Sequence, residues 1–320
     1  MKAVITDYQY DNIDTERRII TEAGFELLDY QEKDPKNVIP LVEDADAIIT
    51  QYSEINREVI ESLKHCKMII KYGIGVNNID CEAAGEKGIY VCNVPDYGVD
   101  EVSDHAVTML LCLGRKLEIL RRAFQKGDWG YTSIVPVKRL SECTAGLIGF
   151  GRIPQMVLRK IQAFGMKVMV FDPYVGDEVI REKGGIPGAV EEICKEADFI
   201  SVHCPLTKST WHMIGEKEIA LMKPSCCLIN TARGGIIDEK ALIQALLEKR
   251  IAGAGIDVFE EEPVSPEHPL LHMENVIATP HSAWYSETAI AALQQKAAEE
   301  VVRVLKGNDP LNCVNRQYLK

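Results

Sequence analysis

The stretch AGLIGFGRIPQ, Ala145 to Gln155, decides how this chain is read. It opens on an apolar run that suits a buried strand, turns at Gly149 and Gly151, and runs into RIPQMVLRKIQAFG, a helical pattern. A strand that meets glycines and then a helix points free backbone N–H groups outward from the helix N-terminus, where a phosphate binds. Gly149 permits the tight turn, and Gly151 lets the backbone approach a pyrophosphate. A second strand, KVMVFD, ends on Asp172 about 20 residues later, where a dinucleotide-binding unit places the acid that accepts the ribose hydroxyls. A carboxylate there repels a 2′-phosphate, so the pattern predicts NAD rather than NADP. Spacing also allows Asp172 to be a strand-end turn residue before Pro173.

The place of the third glycine is taken by Pro154. The first turn of a helix has no intrahelical use for its N–H groups, so a proline there loses little. Arg152 and Ile153 keep the amides that would face the phosphate. What is given up is the close strand–helix contact of a third glycine, so the helix is expected to ride slightly higher on its sheet.

Working outward, the apolar runs GLIGF, KVMVFD, DFISVHC, CCLINT, AGAGIDV and NVIAT alternate with helical patterns. They predict a parallel sheet covered on both faces. KAVIT, FELLDY, AIIT, MIIKYG and IYVCNV do the same over the first 98 residues. Between the two blocks, Val99 to Phe124 reads as one long helix, apolar nearly all round, of the kind found centrally or between domains or subunits. A long loop with Trp129, Tyr131 and Pro136 follows, a length usual for functional or interfacial segments. The fold class is α/β throughout, in two lobes.

Composition narrows the function. The 320 residues carry a formal net charge of −12, with no Lys/Arg cluster, so no nucleic-acid partner is expected. No apolar run reaches membrane-span length, and the N-terminus lacks the features of a signal peptide, so no membrane partner is expected either. Ten cysteines stand without any C-x-x-C, which argues against a zinc or redox site and for reduced, buried thiols in a cytoplasmic protein. No metal is expected.

Three further stretches follow strands of the second sheet: INTARGG, GIDVFEEEP and ATPHSAW. Loops at the carboxyl ends of parallel strands line the ligand crevice. They bring forward Arg233, Glu262 and His281: a cation to clamp a carboxylate and polarise a keto oxygen, a carboxylate, and an imidazole to donate a proton. Glu262 would hold the imidazole and favour its protonated form. Spacing alone leaves open that Arg233 is a surface residue, that EEEP is a solvated loop and that His281 is structural.

GLIGFGRI, FDPY, HCPLT, NTARGGIIDEKAL, AGIDVFEEEP and TPHSAWYSE, with YGIGVNNID in the first lobe, together resemble the D-isomer-specific 2-hydroxyacid dehydrogenases along essentially the whole chain. The resemblance implies an NAD-dependent enzyme that transfers a hydride between NADH and a 2-oxo acid. It implies a flavodoxin-like substrate domain, 1–99 and 280–320, into which a Rossmann NAD-binding domain, 100–279, is inserted. Arg233 becomes the substrate clamp, Glu262 the partner of His281, and His281 the acid/base; Glu260 and Glu261 do not match the catalytic position. NAD contacts fall on Ile74, Gly149, Gly151, Arg152, Ile153, Asp172, Cys204, Pro205, Thr210, Thr231, Ala232 and Asp257. Substrate contacts fall on the amides of Gly75 and Val76, on Lys71 and on Trp284.

TPHSAWYSE and LNCVNRQYL are most similar to one branch, the C-terminal-binding proteins (CtBP), dehydrogenase-like corepressors. Trp284 matches that branch's tryptophan, with a core position as its alternative. Lys71 stands where the branch has an arginine, keeping the charge and losing the bidentate fork. The resemblance implies a homodimer built by the Val99 helix and the Trp129 loop. The rival to an enzyme is an NAD-gated partner-binding protein with weak or no turnover.

Overall fold

The computed structural model describes residues 1–319. The chain forms two compact units, Met1–Gly98 with Ser286–Lys320, and Val99–Tyr285.

The first unit holds β1 (Lys2–Ile5), β2 (Glu26–Asp29), β3 (Ala47–Thr50), β4 (Met68–Lys71) and β5 (Tyr90–Cys92), all parallel, in the order β2-β1-β3-β4-β5. That is the flavodoxin-like order. AIIT and MIIK are buried on both faces, as strands covered by helices on each side must be. The C-terminal segment belongs to this sheet. The Glu287–Leu305 helix lies along the Asp14–Glu22 helix, where Gln294 donates to the Asn12 carbonyl at 2.8 Å. Asn315, fully buried, accepts from the Val91 amide at 2.8 Å and donates to the Ile89 carbonyl at 2.9 Å.

The second unit holds β6 (Thr144–Ile148), β7 (Lys167–Phe171), β8 (Ile186–Pro187), β9 (Phe199–Val202), β10 (Cys227–Asn230), β11 (Gly253–Ile256) and β12 (Val276–Ala278). They form one parallel sheet in the order β12-β11-β10-β9-β6-β7-β8. Counted within the unit this is the Rossmann arrangement, with a reversal between β6 and β9. Six strands were expected. β8 is the addition, a two-residue edge strand set among glycines and a proline, which carries no strand pattern of its own.

Two expectations need correction. The helix from Val99 is not continuous: it ends at Gly114, Lys116 adopts φ +50°, and a new helix runs Leu117–Gln125. The first piece buries Val102, Ala106, Met109 and Leu110, whereas the second buries nothing. The apolar positions that seemed to encircle one helix therefore belong to two faces. The second domain boundary also moves. Residues 280–285 go with the second unit, because the carboxylate of Asp257 accepts the amides of Ser282 at 2.9 Å and Ala283 at 3.0 Å.

Candidate active site

The glycine turn sits at the reversal of the second sheet. Gly149 has φ +101°, and a Cβ there would lie 3.0 Å from the backbone of His203 and Cys204, so the loops after β6 and β9 touch through a position only glycine fills. A Cβ on Gly151 would instead meet open space. Gly151 caps the Arg152–Gln162 helix, whose bond from the Gln155 amide back to the Gly151 carbonyl is 3.2 Å long. Arg152 and Ile153 thus stand in the turn where helix amides face outward. Pro154 is buried in that same first turn, as its sequence position requires. Asp172 is held by the backbone on both oxygens, accepting from Phe150 at 2.7 Å and from Tyr174 at 2.8 Å. Along Cys204–Thr210, Thr210 closes the turn, donating to the Pro205 carbonyl at 2.6 Å and accepting from the Thr207 amide at 2.7 Å. Thr231 buries a hydroxyl oxygen that has no hydrogen-bond partner. An open approach at Gly151, a helix N-terminus, an anchored carboxylate and an orphan hydroxyl fit a bound dinucleotide.

The three candidate residues, Arg233, Glu262 and His281, follow neighbouring strands. Arg233 follows β10, in a turn pinned by buried Asn230, which donates to the Arg233 carbonyl at 2.9 Å and accepts from the Ala232 amide at 3.0 Å. Arg233 also donates to the Ala232 carbonyl at 2.6 Å. A Cβ on Gly234 would sit 1.9 Å from the carbonyl carbon of Phe259, so the Arg233 turn lies flush on the loop that carries Glu262. Nδ1 of His281 pairs with Oε2 of Glu262 at 2.7 Å, and Oε1 accepts the Phe259 amide at 3.0 Å. Partial burial pushes the Glu262 carboxyl up, but the His281 bond and charge, the Phe259 amide and the Arg233 charge prevail and hold it below the usual carboxylate range. Glu260 is committed elsewhere, to His212 at 2.9 Å and the Glu239 amide at 3.0 Å.

A family model described as D-isomer specific 2-hydroxyacid dehydrogenase, NAD binding domain, matches residues 107–283. The chain is 40% identical over 282 residues to a D-3-phosphoglycerate dehydrogenase of Methanocaldococcus jannaschii, covering 88% of this chain and 53% of that one. It therefore spans about half the length of that relative. It is 36% identical over 307 residues to a glyoxylate reductase of Korarchaeum cryptofilum, covering 93% and 92% of the two chains. Its fold superposes with a TM-score of 0.87 on a D-lactate dehydrogenase of Aquifex aeolicus complexed with NAD and lactic acid, at 30% identity and 96% coverage of both chains. This chain belongs to the D-isomer specific 2-hydroxyacid dehydrogenase family. It is an NAD-dependent dehydrogenase, and residues 107–283 carry its NAD-binding domain.

The dehydrogenase holds its histidine in an unusual way. His281 has φ +51°, a region costly for a residue with a side chain. Asp257, 1% exposed, supports it. Its carbonyl accepts the His281 amide at 2.8 Å, and its carboxylate accepts Thr279 Oγ1 at 2.6 Å besides the Ser282 and Ala283 amides. Asp257 thus anchors the turn that carries His281, a task beyond the cofactor contact expected of it. Because Thr279 donates to Asp257, His105 Nε2, 3.0 Å from the same hydroxyl, must be the donor in its bond. His105, Asn230, Gly234 and Thr279 escaped the sequence reading; only the doubled glycine after Arg233 signalled one of them. Trp284 is half-buried and donates from Nε1 to the His281 carbonyl at 2.9 Å.

In the first unit, Lys71 ends β4 with its Nζ 5.1 Å from the Tyr52 ring centroid. The loop that follows is fixed by bonds from Asn93 to the Ile74 carbonyl at 2.6 Å and from the Ile79 amide to the Val76 carbonyl at 3.0 Å. Gly75 and Val76 are half-buried within it.

Proposed function

We propose that this dehydrogenase reduces a 2-oxo acid to the D-2-hydroxy acid. The observation that carries the reading is the 2.7 Å pair of His281 Nδ1 with Glu262, beside the charge of Arg233. Pairing at Nδ1 fixes the ring and leaves Nε2 as the atom that hands a proton to the keto oxygen. Glu262 stays ionised through neutral pH and so keeps that orientation. Arg233 clamps the substrate carboxylate and polarises the keto group. Bound NADH supplies the hydride. Asp172, anchored between two amides, accepts the ribose hydroxyls and turns away NADP. Contacts from Lys71, Gly75, Val76 and Trp284 to the substrate, and from Ile74 to the cofactor, belong to the same proposal.

His281→Asn tests it. NADH binding should persist, while NADH oxidation by glyoxylate or pyruvate falls by about 10²–10⁴. Turnover unchanged by the substitution would remove His281 from the chemistry.

Three finer readings go with this one. The Leu117–Gln125 helix buries no residue, and Phe124, Tyr131 and Trp129 are exposed, Trp129 by 87%, so we assign this apolar face to a homodimer interface. Ten free cysteines suit the reducing cytoplasm, and no described helix is long and apolar enough to cross a membrane. We also keep the CtBP-like branch as the proposed relationship, supported by the place of Trp284 in TPHSAW. An NAD-gated partner-binding role is the reading that remains if NADH binds and no 2-oxo acid is turned over.

A further inference from the structure

All ten cysteines are free thiols, and two of them face each other across a backbone pairing. Cys92 ends β5, the edge strand of the first sheet. Cys313 lies on the segment that follows the Glu287–Leu305 helix, and the two residues form an antiparallel bridge. Both belong to the first unit. The bonds that make the bridge run from the Val314 amide to the Val91 carbonyl at 2.8 Å and from the Asn93 amide to the Asn312 carbonyl at 3.3 Å. They lie on either side of the cysteines, which defines the non-hydrogen-bonded kind of antiparallel pair. In such a pair the Cα atoms are about 4.5 Å apart and the two side chains leave on the same face. Disulfides span Cα separations of about 4.4–6.8 Å.

The register of the pair is fixed from both sides. Before Cys313, buried Glu300 accepts the amides of Leu311 at 2.6 Å and Asn312 at 3.2 Å. After it, Asn315 holds Val91 and Ile89 as described above and donates to the Cys81 carbonyl at 3.3 Å. Gly85 lies flush on Tyr318: a Cβ there would stand 2.4 Å from the Tyr318 Cβ. The two thiols differ in access. Cys92 is fully buried, and burial, reinforced by Glu300 and Cys313 and opposed by Arg316, pushes its thiol far above the ordinary range. Cys313 is half-buried, with its thiol donating to Asn315 Oδ1 at 3.2 Å. An oxidant therefore meets Cys313 first, with Cys92 already placed opposite it.

We propose that Cys92 and Cys313 are a redox modification site: hydrogen peroxide oxidises Cys313, and Cys92 closes a reversible disulfide that pins the C-terminal segment to the edge of the first sheet. The Cys313 thiolate attacks the peroxide, the O–O bond breaks, and a sulfenic acid and hydroxide form. The Cys92 sulfur then attacks the sulfenic sulfur, the S–O bond breaks, and water leaves with the Cys92 proton. Two thiols are oxidised, and one peroxide is reduced to two waters. In a reducing compartment both residues stay thiols, and a dithiol reductant reopens the bond.

The test treats the full-length protein with hydrogen peroxide, then maps peptides without reduction. The expected result is loss of two hydrogens from the intact mass and one peptide pair linked through Cys92 and Cys313, both reversed by dithiothreitol. Cys313→Ser should abolish the link, and Cys92→Ser should do the same. Cys81→Ser should keep it, although Cys81 is the other thiol near Cys313. The linked form should melt about 3–10 °C above the reduced form. Oxidation that stops at a sulfinic acid on Cys313 overturns the proposal, as does a link to Cys81 or between two chains. So does a linked form that melts lower than the reduced one, the mark of an opened segment trapped by the bond. Should Cys92→Ser fail to fold, the Cys313→Ser and Cys81→Ser pair decides the matter alone.

Discussion

The two parallel sheets of this dehydrogenase reverse their strand order in different materials. Between β6 and β9 the second sheet uses backbone: Gly149 brings two loops within reach of each other, and Gly151 leaves open space over a helix end. Between β1 and β3 the first sheet uses a side chain: the carboxylate of buried Asp7 ties the loops. An extended, doubly charged pyrophosphate is met by amides, which demand glycine. Two loops can be tied by one buried polar group, which demands no fixed spacing. The first strategy leaves a signature along the chain, and the second does not.

Each side of that contrast can be broken separately. The largest effect is expected at Asp7. Burial pushes its carboxyl up, but the Ser53 hydroxyl and the amides of Gln51, Ser53 and Tyr52 outweigh this and lower it from 3.8. A carboxyl depressed by folding stabilises the protein above its unfolded value and loses that contribution as pH falls through the folded one. Asp7→Asn should cost about 2–3 kcal/mol in urea unfolding at pH 7, and the cost should shrink as the pH is lowered below about 4. On the other sheet, Gly149→Ala forces a Cβ against His203 at φ +101°. It should cost about 1–3 kcal/mol of stability and weaken NADH binding, measured by fluorescence titration. Asp172→Ala should weaken NAD about tenfold and relax discrimination against NADP. An unchanged cofactor preference would contradict the ribose assignment. Smallest is Pro154→Gly. Since the proline removes no phosphate-facing amide, the NADH Kd should change by less than about threefold. A larger gain in affinity would mean that the proline lifts the helix enough to matter.

Much of the fold was legible because strand–helix alternation and glycine turns are local signals. GLIGFGRI, KVMVFD and the loops of Arg233, Glu262 and His281 fall where the spacing puts them. What stayed hidden depends on residues far apart in sequence. Asp257 and the 279–283 turn meet only after β11 and β12 pair, so neither the anchor nor the later domain boundary shows in periodicity. The break at Lys116 was masked because apolar residues continue at helical spacing on both sides of it. β8 is too short, and too rich in neighbouring glycine, to carry a pattern. Cys92 and Cys313 looked like scattered thiols until β5 and the C-terminal segment set them opposite each other.

The most direct test of the central claim is NADH oxidation by the purified protein across small, apolar, acidic and phosphorylated 2-oxo acids, with the chirality of each product determined. The account predicts NADH consumption with at least one of them and a D-2-hydroxy acid as the product. A protein that binds NADH yet reduces none of the panel, or that forms the L-isomer, would contradict it.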